Sequence, residues 1–130
     1  MTPLRLNALR LVRKRALTFT RTSFLLGAMM VCAVASAGST NGALITSITT
    51  NTDFGSYVLI NTSVTKGGAP SCATNTGYQW VLPLSSALDN QIYAQLLAAF
   101  ASQSTVNLAG DGACTAFSGV ETVVQVQAVN

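Results

Sequence analysis

The chain has 130 residues, seven basic and four acidic side chains, no histidine and a formal charge of +3, and only 8% of its residues are charged. Without histidine there is no imidazole base, no histidine-ligated metal and no Ser-His-Asp relay. Four scattered acids make a carboxylate pair or an oxygen-lined cation site difficult to build. We therefore predict no enzyme, no catalytic residue, no metal and no cofactor. Activity that depended on Asp111 or Glu121 would contradict this prediction.

The charges are distributed unevenly along the chain. Six of the seven basic residues lie within the first 21 positions, and Lys66 is the only later one. All four acids lie after residue 50, so that the formal charge from residue 38 onward is −3. A nucleic-acid partner is not expected, because Lys66 alone cannot supply a set of phosphate contacts.

The N-terminal segment has the three parts of a secretory signal. Basic residues precede an apolar run over 24–34, and Ala35-Ser36-Ala37 fits the small-residue pattern that a signal peptidase cleaves. The alternative is an uncleaved membrane anchor, but the run is shorter than the about 20 residues that a spanning helix needs. We predict a signal peptide over 1–37 and a periplasmic or secreted chain from Gly38, with no membrane segment after cleavage.

Residues 38–130 are enough for one small domain with one core. This part of the chain contains two cysteines, Cys72 and Cys114. In an exported protein the simplest prediction is a disulfide between them, which on the chain-entropy model stabilises the domain by about 4 kcal/mol. The alternative is a reactive thiol pair, but the C-x-x-C spacing and a neighbouring cation are missing.

Taken in chain order, the first elements predict a hairpin. Residues 38–42 form a short polar lead, and Ala43 to Thr50 then carries apolar residues among threonines, as strands do. Residues 51–55 predict a turn. A second strand is expected from Tyr57 to Val64, which is rich in β-branched residues.

A loop and then a helix follow the hairpin. Glycines and a proline break the pattern after Lys66, and Tyr78 to Leu82 predicts a third, short strand that Pro83 ends. Ser86 with Asp89 has the form of a capping box, with Asp in place of Glu, and predicts a helix that runs to about Ser102.

The last elements complete an α+β order. A fourth strand is expected over 105–108, a turn over 109–112, and a fifth strand over 121–129, where apolar residues alternate with glutamines. We predict a small, curved antiparallel sheet or barrel of about five strands with one helix between strands 3 and 4. This is the strand and helix order of an OB-fold, so that residues 38–130 form a single OB-like domain.

The side chains suggest a neutral binding surface. Thr, Ser, Asn and Gln make up more than a third of residues 38–130, and such a surface can bind sugar hydroxyls or can simply confer solubility. The candidate ligand contacts are Asn75, Tyr78, Gln79 and Trp80, because aromatic faces stack on sugars beside amides. In a strand, Tyr78 and Trp80 would point to one side; if that side is the core, both pack there. Tyr78, nearer the loop, is the better candidate.

The predicted helix has an apolar stripe and a neutral side. Leu88, Ile92, Leu96 and Ala99 recur at helical spacing and are expected to face the core. The other side carries Gln91, Gln95 and Ser102 and almost no charge. A second subunit could approach it closely, so that we take these three residues as candidate subunit contacts.

The layout resembles a known family. Residues 42–48, 57–60, Cys72, the helical segment 92–100 and residues 105–108 together resemble the small secreted B subunits of AB-type bacterial toxins of the subtilase-cytotoxin and pertussis-like kind, and related stand-alone secreted bacterial proteins. The resemblance implies an OB-fold protomer, a ring of five with the helix lining its pore, glycan binding, and a catalytic partner chain. It lies in layout and hydrophobic pattern, and no sugar-contacting residue of the family maps to a position here.

The sequence therefore predicts an exported, disulfide-bonded, non-enzymatic binding module, with a glycan as the expected ligand and a ring as the expected assembly. The alternative is a periplasmic or surface structural protein, or an inhibitor, that acts through protein–protein contacts at a sheet edge or on the helix.

Overall fold

Six strands, one α-helix and one short 3-10 helix lie within residues 36–129, the part of the chain that the computed structural model describes. In chain order these are β1 (Ser39–Ala43), β2 (Ile45–Thr50), the 3-10 helix (Thr52–Phe54), β3 (Tyr57–Thr62), β4 (Trp80–Pro83), α1 (Ala87–Ser102), β5 (Thr105–Gly110) and β6 (Glu121–Val129). The predicted signal peptide lies outside the described residues except for Ser36 and Ala37.

All six strands form one sheet in the order β1-β5-β6-β4-β3-β2. Strands β1 and β2 follow each other with only Leu44 between them, yet they lie at opposite edges. The two edges of the sheet therefore belong to one bent segment, and the sheet is curled and barrel-like. The predicted α+β class with a single helix is confirmed.

Two details of the predicted sheet are wrong. The expected polar lead over 38–42 is mostly strand β1, so that the sheet has six strands instead of about five. Strand β1 forms because its backbone pairs with β5, as in Ser39 with Ala109, and such pairing does not require apolar alternation. The sheet is also not purely antiparallel, because β4 and β6 run parallel, with Trp80 opposite Glu121.

The core lies between the sheet and α1. Successive strand side chains point to opposite faces, and the inward residues of β3 and β4 are Val58, Ile60, Trp80 and Leu82. The helix contributes its buried stripe to the same cluster: Ile92, Leu96 and Ala99. Leu88, which was predicted to join this stripe, is instead 62% exposed, because it lies in the first turn, before the first buried residue of the helix, Ile92.

The helix begins and ends as predicted. The Ser86 hydroxyl accepts a hydrogen bond from the Asp89 backbone at 3.1 Å, and the Asp89 carboxylate accepts one from the Ser86 backbone at 2.8 Å. This reciprocal capping box satisfies backbone N–H groups that have no partner within the helix. Gln103 ends the helix in a left-handed conformation, with φ of 54°.

The predicted disulfide is confirmed. Cys72 and Cys114 are 42 residues apart in the chain, and their Cα atoms lie 5.9 Å apart. The bond joins the long loop before β4 to the loop that connects β5 with β6, so that these two segments are fixed beside each other.

Candidate functional site

A partly exposed aromatic cluster covers the outer surface of β3 and β4, on the side away from α1. Its members, which we call the aromatic face, are Phe54, Tyr57, Tyr78 and Phe117. The four rings pack over the buried residues Leu59, Val81 and Val120. This is a second apolar layer, and because none of the four rings is fully buried, each retains surface that a ligand could contact.

The rings of the aromatic face contact one another edge to face. The ring centroids of Phe54 and Phe117 lie 5.5 Å apart, those of Phe54 and Tyr78 lie 6.3 Å apart, and those of Tyr57 and Phe117 lie 6.4 Å apart. Edge-to-face pairs at such distances are favourable beyond their buried area. The rings therefore form a connected platform, although their residues come from three separate loops and one strand.

Local turn chemistry places two of these rings. The Asn51 side chain accepts a hydrogen bond from the Asp53 backbone at 3.0 Å, which starts the 3-10 helix that carries Phe54. Gly55 ends that helix with φ of +65°, a conformation that other residues adopt at a cost. Phe117 sits in a tight turn closed by a bond from the Val120 N–H to its carbonyl at 3.1 Å.

A small pocket adjoins the aromatic face at Tyr78. Its volume is about 170 Å³, which is less than that of a typical drug-sized site. Its lining combines hydroxyl and amide groups with small apolar ones, and one lysine: Thr65, Lys66, Ala69, Ala73, Asn75, Thr76, Tyr78, Gln79 and Gly119. Three of the four predicted ligand contacts therefore come together here.

The two predicted amide contacts also hold the loop in place. The Asn75 side-chain oxygen accepts hydrogen bonds from the backbone of Gly77 at 2.8 Å and of Tyr78 at 2.9 Å. The Gln79 side-chain oxygen accepts from the Thr62 backbone at 3.0 Å and also from the Thr62 hydroxyl. Both amides therefore position the pocket wall, and the Asn75 turn sets the orientation of Tyr78.

Trp80 does not belong to the site. It is fully buried in the inner core, which is the packing alternative that the sequence left open. The expectation that Tyr78 and Trp80 point to one side is wrong, because β4 begins only at Trp80 and Tyr78 still belongs to the loop. Strand alternation does not extend to Tyr78, which packs against the outer cluster instead.

The positive charge of the pocket lysine, Lys66, is balanced by a buried acid. Lys66 Nζ lies 2.9 Å from Glu121 Oε2 and donates to the Gln79 carbonyl at 2.8 Å. It also lies 4.2 Å from the centroid of the Trp80 ring, a cation–π distance. The side chain of Lys66 is 7% exposed and that of Glu121 is fully buried. The pocket consequently offers uncharged hydrogen-bonding groups.

The three candidate subunit contacts on α1 lie on its solvent side. Gln91, Gln95 and Ser102 are all exposed, and the turn before Gln91 exposes Leu88. The Ser102 hydroxyl bonds back to the Ala98 carbonyl at 2.8 Å. Together they make a neutral surface beside the exposed Leu88, whereas the exposed Leu97 and Phe100 project from a different side of the helix.

Sequence reasoning missed three members of the aromatic face: Phe54, Tyr57 and Phe117. Phe54 stood within a predicted turn, and Tyr57 opened a predicted strand as an ordinary strand residue. An aromatic residue in a turn is a weak signal by itself. Only the topology brings residue 117 to within contact of residue 54, so that the platform has no signature in any one segment.

No protein-family model matches the chain, and no curated protein and no solved structure matches it either. In the described residues, no helix is both long and apolar enough to cross a membrane. Nor do residues 36–129 bring together three His, Cys, Asp or Glu side chains that could hold a metal ion.

Proposed function

We propose that the chain is an exported, non-enzymatic binding module of the OB-fold type, whose aromatic face and adjoining pocket bind a neutral glycan. The observation that carries the proposal is the partly exposed platform of four rings beside a small pocket lined by hydroxyl, amide and small apolar groups. The fold, the position of the site and its chemistry each support it.

Strand order supports the OB-fold. When β1 and β2 are counted as one bent first strand, the sheet runs first, second, third, fifth, fourth and back to the first. The third and fifth strands of that count are the parallel pair β4 and β6, and α1 lies between the third and the fourth. A five-stranded Greek-key barrel whose bent first strand pairs at both edges has this arrangement.

The position of the aromatic face matches where OB-folds bind their ligands. These domains bind oligosaccharides and oligonucleotides on the surface of strands 2 and 3 and on the loops between strands 1 and 2 and strands 4 and 5. The corresponding parts here are β3, β4, the 51–56 loop and the 111–120 loop. All four rings lie on these parts or beside them, which favours a ligand site over a purely structural apolar layer.

Chemistry favours a sugar over a nucleic acid. Aromatic rings stack on the C–H faces of sugars, and hydroxyl and amide groups bind the sugar hydroxyls. Phosphate contacts require accessible cations, but Lys66, the one basic residue after position 21, is already paired with Glu121. A neutral oligosaccharide therefore suits the site best.

A glycan array, probed with the full chain after export from a bacterial host, tests this proposal. We expect binding to neutral oligosaccharides, weakened about tenfold or more by Tyr78→Ala, because that variant removes a ring at the junction of platform and pocket. Tyr78→Phe is the matched control, since it keeps the ring and should keep the binding. An array without any hit, or a Tyr78→Ala variant that binds like the parent, would contradict the proposal.

A second candidate function is self-assembly through α1, in a ring such as the toxin-like resemblance implies, with a catalytic chain as a further partner. The specific observation in its favour is the uncharged outer side of α1 with Leu88 62% exposed at one end. Two copies could approach there without charge repulsion, and the exposed apolar area would be covered. The same surface would serve the alternative of an inhibitor or structural protein.

Light scattering coupled to size exclusion tests the assembly. We expect a pentamer for the parent protein and smaller species for Leu88→Asp, because a buried carboxylate without a partner opposes association. Thr46→Asp on the exposed side of β2 is the matched control and should leave the assembly unchanged. A strictly monomeric parent would exclude the ring while leaving the glycan proposal open to its own test.

A further inference from the structure

Glu121 is a fully buried acid at the point where the predicted mature chain begins. Its Oε1 atom accepts hydrogen bonds from the backbone N–H of Gly38 at 2.7 Å and of Gly112 at 3.0 Å. Its Oε2 atom forms an ion pair with Lys66 Nζ at 2.9 Å and accepts no further hydrogen bond from the described residues. A buried carboxylate is stabilised by hydrogen bonds in addition to its ion pair, so that Oε2 can take a second donor.

The Gly38 nitrogen is held against this carboxylate by its own backbone. The Gly38 carbonyl accepts a hydrogen bond from the Gly110 N–H at 2.9 Å, and the next residue, Ser39, donates to the Gly67 carbonyl at 2.9 Å. There is no room for a side chain at position 38, because a Cβ would overlap the Glu121 carboxylate and the Lys66 stem. The nitrogen therefore stays beside Glu121 whatever precedes it in the chain.

We propose that cleavage of the Ala37–Gly38 bond creates an α-ammonium group at Gly38 that binds the buried Glu121 carboxylate. A signal-cleaving peptidase hydrolyses the peptide bond: the water oxygen joins the Ala37 carbonyl carbon as a carboxylate, and the Gly38 nitrogen leaves as an amine that is protonated. This inference rests on the predicted export signal and is independent of glycan binding.

When the Gly38 amide becomes an ammonium group, the buried Glu121 carboxylate gains hydrogen bonds and a counter-charge. The amide of the uncut chain offers one N–H, which Oε1 takes. An ammonium has three N–H groups and carries charge, so that it can keep the bond to Oε1 and supply a donor to Oε2, and charge-assisted bonds are about twice as strong as neutral ones. Position 38 must be a glycine, because a Cβ there would overlap Glu121 and Lys66. The same glycine becomes the N-terminal residue when the chain is cleaved after Ala37.

The pairing favours a chain that begins at Gly38. A chain beginning at Ala37 would keep the Gly38 nitrogen as an amide, which offers Glu121 a single N–H. A chain beginning at Ser39 would lose the Gly38 nitrogen altogether. A start at Gly38 places the new charge on the nitrogen that already contacts the buried acid.

An unusual chemical property follows for the cleaved protein. Lys66 is the only lysine after residue 21, so that a chain starting at Gly38 has two amines, the α-amine and Lys66 Nζ. Both would lie on the same buried carboxylate. The folded protein should therefore resist amine-specific reagents at every amine it has.

The test uses the full chain exported from a bacterium, so that the host performs the cleavage. Intact mass should correspond to residues 38–130. Treatment with an N-hydroxysuccinimide ester of acetate should add two acetyl groups in urea, whereas in the folded protein both sites should react at least about tenfold more slowly. Thr46→Lys is the control, because its exposed amine should react at the rate of a free lysine in the same folded sample.

Two variants separate a charge pair from simple burial. Lys66→Gln leaves the α-amine as the sole amine, and it should stay slow because Glu121 still binds it. Glu121→Gln should make the amines reactive in any fraction that remains folded by circular dichroism. A mature chain that starts elsewhere, or a Gly38 amine that reacts in the folded parent and in Lys66→Gln as fast as the lysine at position 46, would overturn the proposal.

Discussion

At the scale of single residues, the buried pair of Lys66 and Glu121 makes the strongest stability prediction. Glu121→Gln leaves the Lys66 ammonium buried without its counter-charge, and breaking such pairs costs about 3–5 kcal/mol of unfolding free energy. Asp53→Asn is the matched control, since Asp53 is exposed and its loss should change stability by about 0.5 kcal/mol or less. Urea unfolding measures both. Equal stability of the two variants would show that the pair contributes nothing.

A second residue-scale prediction concerns the stability of the fold at acidic pH. Burial alone raises the pKa of Asp89, but hydrogen bonds from Ser85 and Ser86 outweigh it, so that the pKa lies below its ordinary value of 3.8. A carboxyl group whose pKa is lowered by folding stabilises the fold above its ordinary pKa, and this contribution is lost as pH falls through the folded-state value.

The variant Asp89→Asn isolates this effect. At neutral pH it should be less stable than the parent, and the difference should shrink as pH falls below 3.8 and through the lowered folded-state pKa, where the parent carboxyl becomes protonated too. Ser86→Ala should cost about 1 kcal/mol at neutral pH, because its hydroxyl caps the helix and is also among the partners that lower the Asp89 pKa. A gap between parent and Asp89→Asn that does not change with pH would contradict the assignment.

At the scale of elements, the disulfide ties together two loops that frame the pocket and the aromatic face. A closed loop of 42 residues corresponds to about 4 kcal/mol on the chain-entropy model. The double variant Cys72→Ser, Cys114→Ser should lose most of this in urea unfolding. The single variants provide the comparison, and if the double variant were as stable as the parent, the loops would be held by their packing alone.

How well each element could be predicted depends on how local its signal is. The limits of α1 were predicted closely because Ser86 and Asp89 lie three residues apart and mark its start directly. Strand β1 was missed because Ser39 to Ala43 carries little apolar pattern, and its partner β5 lies more than sixty residues further on. The parallel pairing of β4 with β6 is equally non-local, and no residue of β4 indicates it.

At the scale of the whole molecule, the site is a product of topology. The four predicted ligand contacts lie in one short segment, residues 75–80, and all of them except Trp80 line the pocket. Phe54 and Phe117 could not be assigned to them, because sequence separation says nothing of contact across a curled sheet. Trp80 packs in the core, which is the alternative that the sequence left open, and Tyr78 does not follow it because β4 begins only at Trp80.

The burial of Lys66 also determines how the protein meets its surroundings. The one basic residue after position 21 is only 7% exposed, whereas Asp53 and Asp111 stand in solvent. The exterior of the described domain thus carries charge of a single sign, and that sign is negative. After removal of the basic N-terminal segment, the protein should pass through a cation-exchange column at neutral pH and be retained on an anion exchanger, although the 130-residue chain has a formal charge of +3.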